Sequence, residues 1–376
     1  MMAAICDRGL LMTRIFGRFG CLSLLVCLVC LKPAVQEANK EPLKPKMTTQ
    51  GFSAQIERDA RTGWNIVVLQ YFDPADPARN LEARIAAEAG SNLYSLKAGG
   101  TEILVQPAEW GVTPSLRYGF PVLFPTPNRV RDSKFTFDGH TYTFPANERS
   151  HFIHGLVHTL PWQAGTPSVD AKSASVATFL DWDARQKDFA LFPIQHRLSL
   201  RFRLDSQGVT LTFTVQNRDD KRLPFGFAFH PWFQILGSRA ETYLQVPAQK
   251  RMEAVGLLPT GKLESLDGSP YDLRTPVSLE PLRLDDVYWG LAPEQPPGYE
   301  ARDKGIKVSL GGSKEFTHMV VYTPPGRPFF CMENQTCSTD AHNLHARGME
   351  RESHLLIADR GKSISGWVYV KVEKTK

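Results

Sequence analysis

Residues 197–204 are Arg-Leu-Ser-Leu-Arg-Phe-Arg-Leu, and residues 209–215 are Val-Thr-Leu-Thr-Phe-Thr-Val. Apolar and polar side chains alternate strictly in both segments, which is the pattern of β-strands with one buried and one solvated face. The segment between them, Asp205-Ser206-Gln207-Gly208, has the composition of a tight turn. The whole stretch therefore predicts an antiparallel β-hairpin.

The same signal recurs along most of the chain. Residues 135–137 and 141–144 alternate around Asp138-Gly139, a pair that tolerates positive φ and favours a two-residue hairpin turn. Long amphipathic helical stretches are nearly absent. Further strands are predicted at 63–70, 92–97, 101–105, 224–230, 316–322, 328–333 and 364–372. So many short strands predict an all-β protein, with a large two-sheet β-sandwich over residues 51–376.

Composition narrows the class of protein further. The 376 residues are 42% hydrophobic and 22% charged, which excludes collagen-like, coiled-coil and wholly disordered chains. The formal net charge is +5, but residues 1–50 hold seven Lys or Arg against three acidic residues, so residues 51–376 carry only +1. This balance gives little support to nucleic-acid binding, and none is expected.

The N-terminal region has the organisation of a targeting segment. Residues 20–31 are an apolar run of 12 behind Arg14 and Arg18, which is too short to span a bilayer comfortably. We predict a signal peptide or N-terminal anchor at 1–31 and a flexible tether, rich in Lys and Pro, at 32–50. This leader predicts export to the periplasm or the extracellular space, and no other membrane contact is expected.

Cysteine usage excludes a fold built on disulfides. Four of the six cysteines lie in the leader, which leaves Cys331 and Cys337 in the rest of the chain. These two either close a short disulfide loop or are buried free thiols.

A loop stiffened by proline carries the first candidate site residues. In Pro125-Thr126-Pro127-Asn128-Arg129-Val130, a charged residue stands between prolines and an apolar strand. Arg129 either pairs with a surface carboxylate or directs its guanidinium at an oxygen-rich ligand.

Three histidines follow at 151, 154 and 158. On a helix this spacing would suggest a metal site, but the surrounding β pattern and Gly155 argue against a helix, and no Cys or carboxylate joins at ligand spacing. No metal is expected. Either one or two of the histidines are structural, or one of the three is a hydrogen-bonding group in a ligand site.

Two further segments place an ionisable group in apolar surroundings. His230 ends the aromatic run 225–229 and is followed by Pro231, so it should lie at a strand end, either as a core-edge histidine or as an acid–base group. Glu333 stands at the end of a run that has the character of a buried strand, where an unpaired carboxylate is costly. It is either part of an ion pair or a base with a raised pKa.

Taken in order, these segments resemble the aldose 1-epimerase (galactose mutarotase) family of β-supersandwich proteins. The resemblance runs from about residue 52 to 372. Each motif is short, but five in the family's order are jointly specific. The matching segments are 127–129, 154–155, 229–233, 284–288 and 330–336.

The resemblance implies that Glu333 is the general base on the C1 hydroxyl and that His230 is the general acid on the ring oxygen. Interconversion of α and β anomers needs these two groups, which we expect on opposite sides of the sugar, and it needs no nucleophile, metal or nucleotide. No cofactor is therefore expected. The implied activity is that of an isomerase acting on a free hexose.

The resemblance also implies the residues that bind the sugar. Arg129, His154 and Asn128 would bind and polarise it, and Asp285 would hold a hydroxyl, with Asp286 as the alternative because the pair aligns ambiguously. A hexose 6-phosphate substrate would need further cations, for which Arg131 and Arg149 are the candidates in sequence. A non-catalytic carbohydrate-binding protein on the same scaffold is the alternative of a different class.

Overall fold

Short strands form almost all of the regular structure in the computed structural model, which describes residues 49–375. Two helices of one or two turns, α1 (Ala341–Ala346) and α2 (Glu350–Ser353), lie near the C-terminal end. The first fifteen strands are β1 (Gly51–Arg58), β2 (Asn65–Phe72), β3 (Leu81–Ala86), β4 (Asn92–Ala98), β5 (Thr101–Glu102), β6 (Val122–Leu123), β7 (Arg129–Val130), β8 (Lys134–Phe137), β9 (His140–Thr143), β10 (Phe152–Ile153), β11 (Gln163–Ala164), β12 (Ser168–Val169), β13 (Ala174–Trp182), β14 (His196–Leu204) and β15 (Gly208–Asn217). The remaining strands are β16 (Leu223–Phe225), β17 (Ala228–Phe229), β18 (Trp232–Gln234), β19 (Thr242–Gln245), β20 (Lys250–Val255), β21 (Leu258–Ser265), β22 (Val277–Ser278), β23 (Asp285–Trp289), β24 (Gly298–Ala301), β25 (Ile306–Gly312), β26 (His318–Tyr322), β27 (Phe329–Gln335), β28 (Leu356–Ala358) and β29 (Ser363–Lys374).

Three large sheets account for most of these strands. A ten-stranded sheet has the order β11-β13-β14-β15-β29-β25-β24-β19-β22, with β12 also paired to β13. An eight-stranded sheet has the order β21-β20-β23-β26-β27-β17-β6, with β18 also paired to β27. The N-terminal strands form a five-stranded sheet in chain order, β1-β2-β3-β4-β5, and the pairs β7–β10, β8–β9 and β16–β28 are separate two-stranded ribbons.

The predicted hairpin at 197–215 is confirmed as β14 and β15, at the centre of the ten-stranded sheet. Leu204 pairs with Val209 across the turn. The turn is closed by Asp205, whose Oδ1 accepts hydrogen bonds from the backbone N–H of Gln207 at 2.8 Å and of Gly208 at 3.1 Å. A short side chain that bonds the backbone two residues ahead is the usual chemistry of an Asx turn.

The second predicted hairpin is also confirmed, as β8 and β9. Its turn residues Asp138 and Gly139 have φ values of 48° and 75°. Two successive positive φ angles match the right-handed twist of the flanking strands.

Aromatic contacts join the two largest sheets. Phe213 of β15 stacks on Phe227, between β16 and β17, with ring centroids 4.2 Å apart. Tyr299 of β24 meets Phe330 of β27 edge to face at 4.9 Å. These pairs belong to one continuous core of buried side chains that both sheets share. The prediction of an all-β sandwich of the supersandwich type is confirmed, and the five-stranded sheet is an addition that the alternation pattern did not separate.

The structure decides the state of the two cysteines but does not reach the predicted leader. Cys331 and Cys337 are buried free thiols, which decides between the two alternatives left by the sequence. The leader at 1–31 and nearly all of the tether at 32–50 lie outside the described residues and stay predictions. Over residues 49–375, no helix has the length and apolar character needed to cross a membrane.

Candidate active site

A pocket of about 250 Å³ lies on one face of the eight-stranded sheet. All six residues proposed from the sequence as site residues line it. The complete lining is Leu116, Arg117, Asn128, Arg129, Ile153, His154, His230, Trp232, Asp285, Tyr322 and Glu333.

Strand register brings distant parts of the chain to this face. Asp285 of β23 pairs with Tyr322 of β26, Tyr322 pairs with Cys331 of β27, and Cys331 pairs with Trp232 of β18. Directly paired residues project to the same side of a sheet, and three of these four, Asp285, Tyr322 and Trp232, line the pocket. Glu333, two residues beyond Cys331, projects to the same side.

Glu333 is the most deeply buried ionisable group of the pocket, at 2% exposure. Its Oε2 accepts a hydrogen bond of 2.9 Å from Nε2 of Gln335, which leaves Oε1 directed at His230. Burial, with a smaller contribution from nearby Asp285, raises the pKa of Glu333 well above its usual range. Desolvation disfavours the charged carboxylate, so this group holds its proton more tightly than an exposed glutamate does.

His230 follows β17 and is fixed between this strand and β18. Its ring stacks on the indole of Trp232, with centroids 5.1 Å apart and planes 13° from parallel. Its Nε2 lies 3.2 Å from Oε1 of Glu333. Burial lowers the pKa of His230 to about 4. The two groups therefore lie side by side on the pocket wall. Their placement on opposite sides of a sugar stays a prediction.

His154 owes its position to an unusual backbone. Both His154 and Gly155 have φ of 71°. A Cβ on Gly155 would approach the carbonyl oxygen of Phe124 to 2.2 Å, so only glycine fits there. The N–H of His154 donates to the carbonyl of Asn128 at 3.0 Å, and its ring meets that of His230 edge to face at 5.2 Å. Burial, with the neighbouring His230 next, lowers the pKa of His154 well below its usual range, so this imidazole is neutral.

Arg129 lies in β7 with its side chain held by protein groups. Glu148 accepts from Nε at 2.7 Å and from Nη2 at 2.8 Å, and the side-chain oxygen of Asn128 accepts from Nη1 at 3.1 Å. Asp285 Oδ2 is 3.8 Å from Nη2. Of the two alternatives that the sequence left for Arg129, the structure shows the pairing with a carboxylate, and Arg129 also lines the pocket. Its contact with a ligand stays a prediction.

Strand alternation places Asp285 and Asp286 on opposite faces of β23. Asp285 lines the pocket, and burial raises its pKa. Asp286 projects to the other side of β23, where its Oδ1 is 2.6 Å from Nη2 of Arg251.

Several pocket residues were not found from the sequence. Tyr322 lay in the predicted strand 316–322, and Trp232 lay in the matched segment 229–233, just after the predicted strand 224–230. Neither was assigned a role in the site. Glu148 and Arg117 carry no such signal, because they reach the site only through tertiary contacts. Arg131 and Arg149, the cations considered for a phosphate, do not line the pocket.

The structure does not bring the three histidines at 151, 154 and 158 together in the pocket. Only His154 lines the pocket, and Nδ1 of His151 accepts a hydrogen bond from the backbone N–H of Asp132 at 3.2 Å. Over residues 49–375, no group of His, Cys, Asp and Glu has the arrangement of metal ligands.

The large antiparallel sandwich, with its pocket on one face of the eight-stranded sheet, is a fold of the galactose mutarotase-like class. The family model for aldose 1-epimerase matches residues 77–367. The chain belongs to the aldose 1-epimerase family.

Similarity to individual relatives is distant. The chain is 30% identical over 118 residues to an uncharacterised protein of Escherichia coli K12, YphB, and 24% identical over 158 residues to galactose mutarotase of Bos taurus. These matches cover 31% and 40% of this chain, and 37% and 44% of the relatives' own lengths. The solved structure of a galactose mutarotase-like protein from Clostridium acetobutylicum is 21% identical, with a TM-score of 0.76 over 87% of this chain and 99% of that one. At this identity the likeness establishes the fold.

Proposed function

We propose that this protein is an aldose 1-epimerase, which interconverts the α and β anomers of a free hexose by opening and closing the sugar ring. The observation that carries the proposal is the 3.2 Å contact between Nε2 of His230 and Oε1 of Glu333, inside a pocket whose other polar groups suit hydroxyl recognition. An acid and a base in contact can serve two oxygens bonded to the same carbon. In a cyclic hexose, the C1 hydroxyl and the ring oxygen are such a pair.

The reaction follows from these two groups. The Glu333 carboxylate takes the proton of the C1 hydroxyl, the C1–O1 bond becomes a carbonyl, and the bond between C1 and the ring oxygen breaks. The electron pair of that bond goes to the ring oxygen, which takes a proton from the His230 imidazolium. After rotation about C1–C2, the hydroxyl formed from the ring oxygen attacks the other face of the aldehyde and gives its proton back to His230. Glu333 returns its proton to O1, which becomes the C1 hydroxyl of the other anomer.

Each half of this cycle moves one proton between the two side chains and leaves their total unchanged. The pair therefore needs one proton in all, and opposed pKa shifts provide this state. The raised pKa of Glu333 and the lowered pKa of His230 favour one proton on the pair, and Glu333 holds it before the reaction. Transfer of that proton to His230 gives the carboxylate and the imidazolium from which ring opening starts. Because the two groups are coupled, the pH limits of this state belong to the pair.

The charges around the pocket support an uncharged substrate. Arg129 is flanked by Glu148 and Asp285, and these two acids would repel an anion. One observation favours a second candidate, a hexose with an anionic substituent. Arg117 is exposed on the pocket lining and has no ion pair with any residue of the described chain.

Polarimetry on freshly dissolved α-glucose and α-galactose tests the proposal. The purified protein should accelerate the approach to the equilibrium rotation. Sugar binding without acceleration would overturn the enzymatic assignment in favour of a carbohydrate-binding protein. Faster exchange on a hexose 6-phosphate than on either free sugar would favour the second candidate.

A further inference from the structure

Glu148 holds the guanidinium of Arg129 through two parallel hydrogen bonds. The distances are 2.7 Å to Nε and 2.8 Å to Nη2, which is the fork geometry of a strong arginine–carboxylate pair. The Arg129 side chain is only 10% exposed, whereas that of Glu148 is 32% exposed. The carboxylate therefore stands at the solvent side of the arginine and fixes the plane of its guanidinium.

The hydrogen-bond inventory shows what this leaves for a ligand. A guanidinium has five N–H donors. Glu148 occupies two of them, and the side chain of Asn128 occupies a third. The remaining two, one on each Nη nitrogen, are the donors that stay available on the side of Asp285 and the pocket.

The positive charge of Arg129 is also largely taken up by protein groups. The hydrogen bond from Arg129 lowers the pKa of Glu148, so this carboxylate is ionised at neutral pH. With Glu148 in contact and Asp285 at 3.8 Å, the positive charge of Arg129 is already compensated before a ligand arrives. Arg129 thus presents two hydrogen-bond donors without a free positive charge.

We propose that Glu148 is a specificity-determining residue, which positions Arg129 and neutralises it so that the pocket accepts hydroxyl groups and rejects anions. The proposal builds on the proposed function, because it assigns the substrate class of the same site. Glu148 acts through Arg129 and is a positioning residue rather than a catalytic one.

The test is a binding experiment that needs no turnover. Two probes are titrated by calorimetry: 1,5-anhydroglucitol, a sugar that lacks the C1 hydroxyl and cannot open, and inorganic phosphate. For wild type we expect binding of 1,5-anhydroglucitol and no measurable phosphate binding. Glu148→Gln should weaken binding of the sugar analogue about tenfold or more, which corresponds to one lost charge-assisted contact of about 1.4 kcal/mol. It should also create a phosphate site that competes with the analogue and weakens with salt.

Three further variants make the outcome specific. Glu148→Asp keeps the charge and should retain the preference of wild type. Phosphate binding should disappear again when Arg129→Met is added to Glu148→Gln, and should persist when Arg117→Gln is added instead. Asp183→Asn breaks a comparable pair with Arg185 outside the pocket and should alter neither titration.

The results separate this proposal from the proposed function. If Glu148→Gln weakens binding of the analogue and no phosphate binding appears, Glu148 is not a specificity determinant, whatever the protein does to anomers. If the phosphate site appears as expected while wild type fails to accelerate anomer exchange, the role of Glu148 stands and the enzymatic assignment falls.

Discussion

Replacement of Glu333 by Gln should lower kcat and raise the free energy of unfolding. The amide has the size of the carboxyl group, and its oxygen can still accept the 2.9 Å hydrogen bond from Gln335, so the fold should be retained. It cannot take a proton from the C1 hydroxyl, and general acid–base groups contribute about 10² to 10⁴ in rate. We expect kcat to fall by at least about 10²-fold, or about 3 kcal/mol of transition-state stabilisation at 1.36 kcal/mol per decade.

The effect on stability has a sign that depends on pH. Because burial raises the pKa of Glu333, the folded protein keeps a proton that the unfolded chain releases above the ordinary value of 4.5. The folded state therefore loses stability as pH rises from 4.5 through the raised pKa, by about 1.4 kcal/mol for each unit of elevation. The variant does not carry this penalty, so its free energy of unfolding should exceed that of wild type by a margin that grows with pH.

Polarimetry gives the rates, and urea unfolding at several pH values gives the stabilities. Gln335→Glu is not a suitable control, since it would add a second carboxyl group beside Glu333. Glu294→Gln, at an exposed acid outside the pocket lining, provides the reference for a neutralising change. Near wild-type rates for Glu333→Gln would remove Glu333 from the mechanism, and a stability loss that increases with pH would refute the account of its buried carboxyl.

Three further predictions concern His230, the pH dependence of the reaction, and the pair Asp285 and Asp286. His230→Asn keeps a hydrogen-bond donor without a titrating proton, so kcat should fall while KM changes modestly; a rise in KM alone in saturation kinetics would make His230 a binding residue, with His154 as the next candidate for the acid. The pH profile of kcat/KM should be bell-shaped, since a second proton on the pair below pH about 4 removes the base, and loss of the last proton at higher pH removes the acid. A profile without an acid limb near 4 would contradict the shared proton. Asp285→Asn should raise KM without affecting the thermal midpoint much, whereas Asp286→Asn should destabilise by about 1–3 kcal/mol because Arg251 loses a buried partner; the reverse pattern in kinetics and thermal melts would exchange the two assignments.

The strands of this fold could be predicted because local pattern and tertiary placement agree. In β14, each alternate apolar residue enters the shared core, so the period of the sequence is also the period of burial. The six candidate site residues could be named because family motifs are local in sequence. The pocket that collects them depends on β-sheet register, which pairs Asp285 with Tyr322 and Val320 with Glu333 across long stretches of chain.

What the sequence could not supply is the orientation of those residues and the identity of their partners. The left-handed backbone of His154 is imposed by the close approach of Gly155 to Phe124, which no local pattern encodes. Glu148 meets Arg129 because β7 and β10 pair, and these strands have only two residues each. Such short strands have no periodicity to detect.

The alternation of β27 has a consequence for how this protein can change over evolutionary time. Phe330 and Met332 enter the core, while Glu333 faces the pocket. A single inserted or deleted residue within the strand would shift every following side chain to the opposite face, placing the carboxylate in the core and an apolar group beside His230. A substitution in this strand changes one side chain and leaves the others on their faces, whereas a change in its length moves all of the following side chains at once. Divergence in substrate preference is therefore expected to accumulate in the loops at the pocket mouth, such as the one that carries Arg117.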